Sequence, residues 1–267
     1  MTTPKTTLAV ALIVKNEGAI LGACLDSVKD LADEIIILDS GSTDDTEAVA
    51  RRYTDKFYVN QPWPGFGPQR QVAQRYITAD WVLWLDADEH VTPELAASIR
   101  AVLAKPPENT VYAVARLTWA FGQFIRHSGW YPGYVERMYP TKLTHYNDSL
   151  VHESVIIPSG VKVEKLQGDL LHYTFRDLHS YLVKSSQYAN AWAEQRHQQG
   201  KRASLGRAVL SSLTRFFRTY FLKAGFLDGK AGFLIAILSV QSVFNKYSSL
   251  YLMNERSKET EQFPKPK

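Results

Sequence analysis

The sequence predicts an α/β protein in which a doubly wound, mostly parallel sheet precedes a C-terminal helical extension. Short apolar runs alternate with segments of helical spacing through the first part of the chain, and only helical spacing remains after Asp177. The chain has 267 residues, of which 45% are hydrophobic and 22% charged. This composition is sufficient for one large core with an appendage. The single Cys24 excludes disulfides within the chain and is typical of a reducing compartment.

Four short apolar runs predict the first strands of the sheet, at residues 8–14, 34–38, 56–59 and 81–85. Helical spacing follows each of the first three, beginning near residues 18, 46 and 68. Strands that alternate with helices form parallel sheets. Right-handed crossovers place the loops after these strands at one sheet edge, where ligands bind in α/β proteins. The loops after the first, second and fourth strands should therefore converge.

The rest of the chain carries further strand patterns and then three helices. Strands are predicted at residues 111–117, 134–139, 154–157, 161–166 and 169–175, and helices at 178–200, 205–224 and 230–252. The polar end of the chain contains two prolines and is predicted to be disordered. We therefore predict a sheet domain at 1–175, a helical region at 176–254 and a disordered tail at 255–267.

Acidic residues directly follow the fourth predicted strand, in the sequence WVLWLDADEH at 81–90. Carboxylates at the end of a buried strand repel one another and are costly to desolvate unless a cation neutralises them. Asp86 and Asp88 lie two residues apart and point the same way in an extended backbone. Their hard oxygens suit Mg²⁺ or Mn²⁺, which also bind phosphates. The alternative is an acidic loop that only opens the next helix, with Thr92 as its N-cap.

The other two loops at this edge are also rich in polar side chains. Asn16 and Glu17 follow the first strand, and Asp39 begins the sequence DSGSTDDT after the second. A carboxylate at the position of Asp39 can accept a hydrogen bond from a nucleotide base or ribose. The chain has no G-x-G-x-x-G after its first strand and no P-loop motif. The sequence therefore predicts a nucleotide that is held by carboxylates and a metal ion.

Four segments resemble the family 2 glycosyltransferases of the GT-A fold, in the order and spacing of that family. They are VALIVKNE at 10–17, DSGSTDDT at 39–46, GFGPQRQVA at 65–73 and WLDADE at 84–89. Within the family, four further segments resemble the lipopolysaccharide inner-core β-1,4-glucosyltransferases that act on the first heptose. These lie at 131–138, 150–154 (LVHES), 168–177 (GDLLHYTFRD) and 226–232 (FLDGKAG). The resemblance extends to about residue 254.

The resemblance implies a UDP-sugar donor, a divalent metal ion and a role for each matching residue. The nucleotide sugar would be bound by Asn16, Glu17, Asp39, Ser42, Arg70 and Asp86. The metal, Mg²⁺ or Mn²⁺, would be bound by Asp86 and Asp88. His152 is a candidate third ligand, and the alternative for it is a histidine packed with hydrogen bonds. Gln71 stands where the family commonly has Asn.

An inverting transfer needs a general base beside the attacking hydroxyl. The Glu-Asp base motif that is usual in the family is not evident in this sequence, and Glu153 is the base that we predict, with Asp148 as the alternative. Trp130, Tyr131 and Arg137 are predicted to bind the acceptor, because aromatic rings stack on sugars and an arginine binds phosphate. His172 is predicted to be structural.

The basic residues of the chain are concentrated in one segment. Between Arg196 and Lys230 there are eight Lys or Arg residues and one acid, Asp228. On a helical wheel Arg207, Arg215 and Arg218 share one face of the second C-terminal helix and apolar residues the other. Such a helix can lie in an anionic membrane interface. The apolar stretch at 231–244 is shorter than the ~20 residues that span a bilayer.

We therefore predict an inverting glycosyltransferase that moves a sugar, with glucose as the expected one, from a UDP-sugar to a lipopolysaccharide inner-core heptose. The enzyme is expected in the cytoplasm, peripheral on the inner face of the bacterial inner membrane, with no nucleic acid partner. Three alternatives remain at this point. They are a transferase of the same fold with another lipid-linked or polysaccharide acceptor, a nucleotidyltransferase, and a non-catalytic module that binds nucleotide sugars.

Overall fold

The computed structural model describes residues 6–106, 108–175 and 177–256, which form two compact units. The first unit is Met1–Leu117 with Pro132–Tyr173, and the second is Thr118–Tyr131 with Thr174–Lys267. The second unit thus includes a segment of the predicted sheet domain. The predicted disordered tail at 255–267 lies outside the described residues from 257 onward, and its first two residues belong to the last helix.

The first unit begins with four parallel strands in the order β3-β2-β1-β4. These strands are β1 (Leu8–Val14), β2 (Glu34–Asp39), β3 (Phe57–Val59) and β4 (Trp81–Leu85). The helices between them are α1 (Gly18–Asp26), α2 (Thr46–Ala50) and α3 (Phe66–Gln74). All four predicted strands are present, and the loops after β1, β2 and β4 leave the sheet at the same edge.

The remaining strands pair mainly antiparallel and make the sheet mixed. They are β5 (Glu89–Val91), β6 (Thr110–Ala120), β7 (Gln123–Phe124), β8 (Gly133–Pro140) and β9 (Lys162–Phe175), and α4 (Pro93–Leu103) follows β5. Within the described residues the sheet continues from β4 in the order β8-β6-β9-β5, with β7 paired to β6. The predicted α/β fold class, with its parallel first half and C-terminal helices, is confirmed.

Three strand predictions were wrong in detail. Residues 154–157 form only an isolated bridge between Tyr146 and Val155. The two pieces predicted at 161–166 and 169–175 are one strand, β9. The apparent break at Gly168 is a position with φ of +88°, where a Cβ atom would lie 2.3 Å from the Leu95 backbone nitrogen. Glycine marks a close approach of α4 here and not the end of a strand.

Alternate residues of the parallel strands fill two apolar layers, one on each face of the sheet. Leu12, Ile37 and Leu83 belong to one layer, which packs on α1 and α4. Ile36 and Trp84 belong to the other, which packs on α3. Because both faces are covered, the strands are apolar throughout, and polar side chains appear only where a strand ends.

The second unit is mainly helical. It contains α5 (Leu178–Gln198), α6 (Leu205–Phe217), a π-helical turn (Arg218–Leu222), a 3-10 turn (Gly225–Asp228) and α7 (Gly229–Arg256). Both α5 and α6 pack against α7. Among the described residues one helical segment is long and apolar enough to cross a membrane by length and composition alone. It is Gly225–Arg256, which has 32 residues and contains an 18-residue stretch with a mean hydropathy of 1.4, and it is longer than the apolar run at 231–244.

Glu34, at the start of β2, holds the loop that precedes β4. Its carboxylate accepts hydrogen bonds from the backbone nitrogens of Thr78 (3.1 Å) and Ala79 (2.9 Å) and pairs with Lys56 at 2.6 Å. We expect Glu34→Ala to lower the free energy of unfolding by about 2 kcal/mol, because buried N–H groups lose their acceptor. Urea denaturation measures this loss. Asp26→Ala, which removes an exposed pair with Lys29, is the control and should leave stability unchanged.

The same pair of variants tests a pH dependence. Burial would raise the pKa of Glu34, but Lys56 and the backbone donors outweigh it and hold that pKa below the ordinary 4.5. The contribution of Glu34 is therefore complete above that pH and is lost as the pH falls below it. An equal stability difference between wild type and Glu34→Ala on both sides of this pH would contradict the assignment.

Candidate active site

The loops after β1 and β2 are tied together by hydrogen bonds from side chain to backbone. The Asn16 side-chain oxygen accepts from the Thr43 nitrogen at 2.8 Å, and the Asn16 nitrogen donates to the Ser42 hydroxyl oxygen at 2.8 Å. The Glu17 nitrogen donates to the Thr46 hydroxyl oxygen at 2.8 Å. Asn16 has a φ of +55°, in the left-handed region that Asn tolerates better than most residues. Asn16, Glu17 and Ser42 are therefore brought together, as predicted.

Asp39 organises the loop that it begins. The carboxylate is buried and accepts from the backbone nitrogens of Gly41 (2.9 Å) and Ser42 (2.8 Å) and from the Ser42 hydroxyl. A carboxylate has about four acceptor directions. Three are used within the loop, which leaves one for a bound ligand.

Gln69 and the two glycines before it join the start of α3 to its surroundings. The Gln69 amide is buried, donates to the Ser40 hydroxyl at 2.9 Å and accepts from the Asn60 amide at 2.7 Å. The backbone nitrogens of Phe66 and Gly67 donate to the Leu150 and Ser149 carbonyl oxygens at 3.1 and 3.0 Å. The segment 147–150 therefore satisfies two of the free N–H groups at the helix start.

Gly65 and Gly67 allow this approach. Gly65 has a φ of +107°, and a Cβ at Gly67 would lie 2.0 Å from the Asn147 carbonyl oxygen. No residue with a side chain fits at either position without moving 147–150. The sequence GFG at 65–67 is thus explained by contact between two backbone segments.

Arg70 lies at the centre of the site and is almost completely buried. Its guanidinium pairs with Asp86 at 2.5 Å and with Glu153 at 3.1 Å. The Trp84 and Tyr146 rings flank it, with their centroids 5.3 and 4.9 Å from the guanidinium carbon. These cation–π contacts offset part of the cost of burying the charge. Arg70 thus joins the end of β4 to the loop that carries Glu153.

Arg137, on β8, is the second cation that holds Asp86. Its Nη2 atom lies 2.6 Å from an Asp86 oxygen and 2.8 Å from Glu89, and both Arg137 and Glu89 are buried. Burial would raise the pKa of Asp86, but the two guanidiniums outweigh it and hold that pKa far below its usual range. Burial is also the largest influence on Glu89 and raises its pKa, although Arg137 opposes this. The prediction that Arg137 binds acceptor phosphates stays untested, and its position favours a role in holding Asp86.

Asp86 and Asp88 are both partly exposed, with 35% of the Asp86 side chain accessible, but they differ in their charged partners. One Asp88 oxygen lies 3.4 Å from the His172 Nε2 atom on β9, and 28% of the Asp88 side chain is exposed. The His172 Nδ1 atom is buried and has no hydrogen-bond partner among the described residues. By contrast both Asp86 oxygens are paired with arginines, and His152 is exposed with a φ of +57°. Asp88 and His172 therefore form the donor pair best suited to a metal ion.

The described residues contain no group of three or more His, Cys, Asp or Glu side chains placed to hold a metal ion. One carboxylate oxygen and one imidazole nitrogen are two such ligands. Mg²⁺ is usually held by one or two protein carboxylates, with phosphates and water completing its coordination. The donor set of Asp88 and His172 is thus compatible with an ion that shares a nucleotide diphosphate.

The two predicted base residues lie near each other in sequence but differ in their partners. Glu153 is half-buried and accepts from the Arg70 Nε atom. Asp148 accepts from the Gln71 amide at 2.8 Å, and the same amide donates to the Tyr146 carbonyl oxygen at 2.8 Å. Gln71 therefore makes hydrogen bonds that support the loop 146–153.

The other predicted acceptor residues, Trp130 and Tyr131, belong to the second unit. Trp130 packs on Phe175 with ring centroids 5.9 Å apart. Their loop is held by Asp228, whose buried carboxylate accepts from the backbone nitrogens of Arg126 (3.1 Å) and His127 (3.1 Å) and from the Ser128 hydroxyl (2.9 Å). The segment FLDGKAG thus fixes the loop that precedes Trp130.

Asparagine, aspartate and arginine side chains gather where β1, β2 and β4 of the mixed sheet end, and a site at this edge of an α/β sheet is typical of an enzyme that binds a nucleotide. The family model of glycosyl transferase family 2 matches residues 9–163, which is more than half of the chain, and the chain belongs to this family.

Two relatives match almost the full length of the chain. An uncharacterized glycosyltransferase of Rickettsia conorii is 28% identical over 94% of this chain and 92% of its own length. The lipopolysaccharide core biosynthesis glycosyltransferase LpsC of Rhizobium meliloti is 28% identical over 92% of this chain and 94% of its own. Among solved structures, glucosyl-3-phosphoglycerate synthase from Mycobacterium tuberculosis is 28% identical with a TM-score of 0.36. That match covers 43% of this chain and 45% of the other, so this chain spans less than half of that enzyme.

Three residues of the first unit were missed or given another role by the sequence analysis. Glu89 is one of the acidic residues after the fourth predicted strand, but it lies on a short strand and pairs with Arg137. Gln69 gave no signal beyond its place in GFGPQR, and His172 was predicted to be structural. A polar residue that interrupts an apolar strand, as His172 does after two leucines, was the one available signal for it.

Gly67→Ala tests the contact between α3 and residues 147–150. We expect a loss of about 1–3 kcal/mol of stability, because the added methyl group forces the two backbones apart. Sugar transfer should fall as well, since Glu153 follows in the same loop. Urea denaturation and the rate of nucleotide release measure the two effects. Gly22→Ala in α1 is the matched control, since its Cβ would meet the nearest atom at 3.6 Å. Wild-type behaviour of Gly67→Ala would refute the assignment.

Proposed function

We propose that the protein is an inverting glycosyltransferase that moves a sugar from a UDP-sugar to a lipopolysaccharide inner-core heptose. Glucose is the sugar to test first. The observation that carries the proposal is the gathering of the β1, β2 and β4 loops around Asp39, Asp86 and Asp88. Family membership and the full-length similarity to LpsC, a lipopolysaccharide core biosynthesis glycosyltransferase, support the reaction type and the acceptor class.

The donor nucleotide would bind in the loops after β1 and β2. Asn16, Glu17 and Ser42 would surround the base and ribose, and the free acceptor direction of Asp39 would take one of their N–H or O–H groups. Asp86 keeps acceptor capacity for a ribose hydroxyl although both its oxygens are paired. Arg70 and Arg137 would act by fixing Asp86 in one orientation, which lowers the entropy cost of donor binding.

A divalent cation, Mg²⁺ or Mn²⁺, would supply positive charge that stabilises the leaving diphosphate. We propose Asp88 and His172 as its protein ligands. Asp86 and His152, the other predicted ligands, stay predictions. We place them after Asp88 and His172, because Asp86 is engaged by two arginines and His152 lies on the exposed loop.

The base would remove the proton from the attacking hydroxyl of the acceptor. We keep Glu153 as the proposed base, with Asp148 as the alternative. The pair with Arg70 orients the Glu153 carboxylate, and movement of the loop 147–153 would free an oxygen for the hydroxyl. Trp130 and Tyr131 are proposed acceptor contacts. An acceptor of this class would be met in the cytoplasm, at the inner face of the inner membrane, and we propose that location for the enzyme.

The metal-dependent transfer is tested by a donor screen with purified protein, truncated lipopolysaccharide and Mg²⁺ or Mn²⁺. We expect glycan product and UDP release with a UDP-hexose, and none in excess EDTA. Asp88→Ala and His172→Gln should lower turnover to background and weaken Mn²⁺ binding measured by electron paramagnetic resonance in the presence of UDP. Asp26→Ala, which changes an exposed carboxylate, is the control and should keep wild-type turnover and Mn²⁺ binding.

Other outcomes are equally clear. Full activity in excess EDTA would refute the metal-dependent mechanism, and release of pyrophosphate would indicate a nucleotidyltransferase. Binding of the nucleotide sugar without product from any acceptor would indicate a binding module.

The base assignment is tested by isosteric amides. Glu153→Gln keeps the size and can still accept from the Arg70 Nε atom but accepts no proton, so we expect turnover to fall roughly 10²-fold or more with donor binding little changed. The unfolding transition is measured alongside, because the neutral amide no longer compensates the buried Arg70 charge. Asp148→Asn is the matched variant in the same loop and should lose less. Donor binding is measured by calorimetry and turnover by UDP release. If Asp148→Asn is crippled and Glu153→Gln is nearly normal, Asp148 is the base.

A further inference from the structure

Helix α6 and the turn after it present their large apolar side chains outward. The side chains of α6 that are buried are small: Ala208 is fully buried and Ser212 nearly so. Ser212 faces α7, since its hydroxyl donates a hydrogen bond to the Val240 carbonyl oxygen at 3.4 Å. In a helix at the surface of a water-soluble unit the large apolar residues normally face the core. In α6 the arrangement is reversed.

The outward side chains form an apolar face on α6 and the turns that follow it, which we define by six residues. They are Leu210 (67% exposed), Leu213 (63%), Phe217 (56%), Phe221 (50%), Leu222 (69%) and Leu227 (61%). Single exposed apolar residues are ordinary on protein surfaces, but a contiguous set of this size marks an interaction site. Two side chains of the face contact each other: the Phe217 and Phe221 rings pack with their centroids 5.3 Å apart.

Positive charge borders this apolar face. Arg207, Arg218 and Lys223 are exposed, and on the helical wheel Arg207 and Arg218 lie beside the edge that ends at Leu210 and Phe221. Asp228 is the one acid between Arg196 and Lys230, and its side chain is buried in hydrogen bonds to residues 126–128. The exposed formal charge around the face is therefore entirely cationic among the described residues of this segment.

An anionic lipid surface complements both properties. Aliphatic and aromatic side chains enter the boundary of the acyl chains, while arginines at the edge reach the phosphates. A second copy of the chain fits less well, because a two-fold contact through this face would bring the bordering arginines of both copies together. A transmembrane arrangement fits less well too. Helix α6 has 13 residues, fewer than the ~20 that span a bilayer, and α7 is engaged by α5 and α6.

We propose that the apolar face of α6 and its following turn inserts into the surface of an anionic lipid bilayer and docks the enzyme there. Arg207 and Arg218 border the contact and add to it, but the inserted apolar side chains form it. The proposal is independent of the reaction that the first unit performs.

Flotation with vesicles tests the proposal directly. Leu210→Ser, Leu213→Ser and Phe217→Ser combined should lower binding to vesicles of phosphatidylglycerol and phosphatidylcholine tenfold or more, at low and at high salt. Because these residues are exposed, the unfolding transition should be unchanged. Val163→Ser with Val183→Ser removes exposed apolar side chains elsewhere and should bind as the wild type does. Arg207→Gln with Arg218→Gln should weaken binding at low salt only.

A fluorescent label locates the inserted surface. The native Cys24 is buried, so a thiol label on Leu213→Cys reports from the apolar face alone. We expect a blue shift of an environment-sensitive dye when vesicles are added, and no shift for the dye on Val163→Cys.

Unchanged flotation of the triple serine variant, or an absent shift at Leu213→Cys, would overturn the proposal. A concentration-dependent dimer without lipid that the triple variant abolishes, together with no vesicle binding by the wild type, would assign the face to a second copy.

Discussion

The site depends on one interaction, the burial of Arg70 between two carboxylates and two aromatic rings. A buried guanidinium is tolerated only when its charge is compensated, and the cost of breaking a buried ion pair is typically about 3–5 kcal/mol. Asp86, Glu153, Trp84 and Tyr146 supply that compensation. Because these four residues come from β4 and from the loop 146–153, Arg70 fixes both relative to α3. The charge balance of the site and the packing of the first unit therefore depend on each other.

The same cluster gives each carboxylate of the acidic segment after β4 a different partner. Asp86 is held by Arg70 and Arg137, Glu89 neutralises Arg137 from the interior, and Asp88 faces His172. Carboxylates that look equivalent in the sequence thus have different environments: Asp86 is oriented by two arginines, Glu89 is buried, and Asp88 is partly exposed beside a histidine. A site in which the ligand-binding groups are already oriented loses less entropy on binding its donor.

The surface of the second unit differs from that of an ordinary water-soluble protein, because α6 exposes its large apolar side chains. Small residues of α6 contact α7, and the large ones face outward beside arginines. The proposed lipopolysaccharide acceptor would give such a surface a use, since docking would confine the enzyme to the plane in which that acceptor diffuses. Electrostatic attraction draws the protein to the bilayer and weakens with salt, whereas insertion of apolar side chains does not.

The sequence by itself determined the four parallel strands, the helices between them and the edge at which the polar loops meet. These follow from local patterns: apolar runs, helical spacing and the fixed hand of the crossovers. Only the tertiary structure decided the partners of individual charges. Arg137 and Glu89 are 48 residues apart, Asp88 meets His172 across β5 and β9, and β5 itself is too short to be recognised. Which face of α6 is buried was also decided in three dimensions, because a helical wheel separates two faces but does not say which of them another helix will cover.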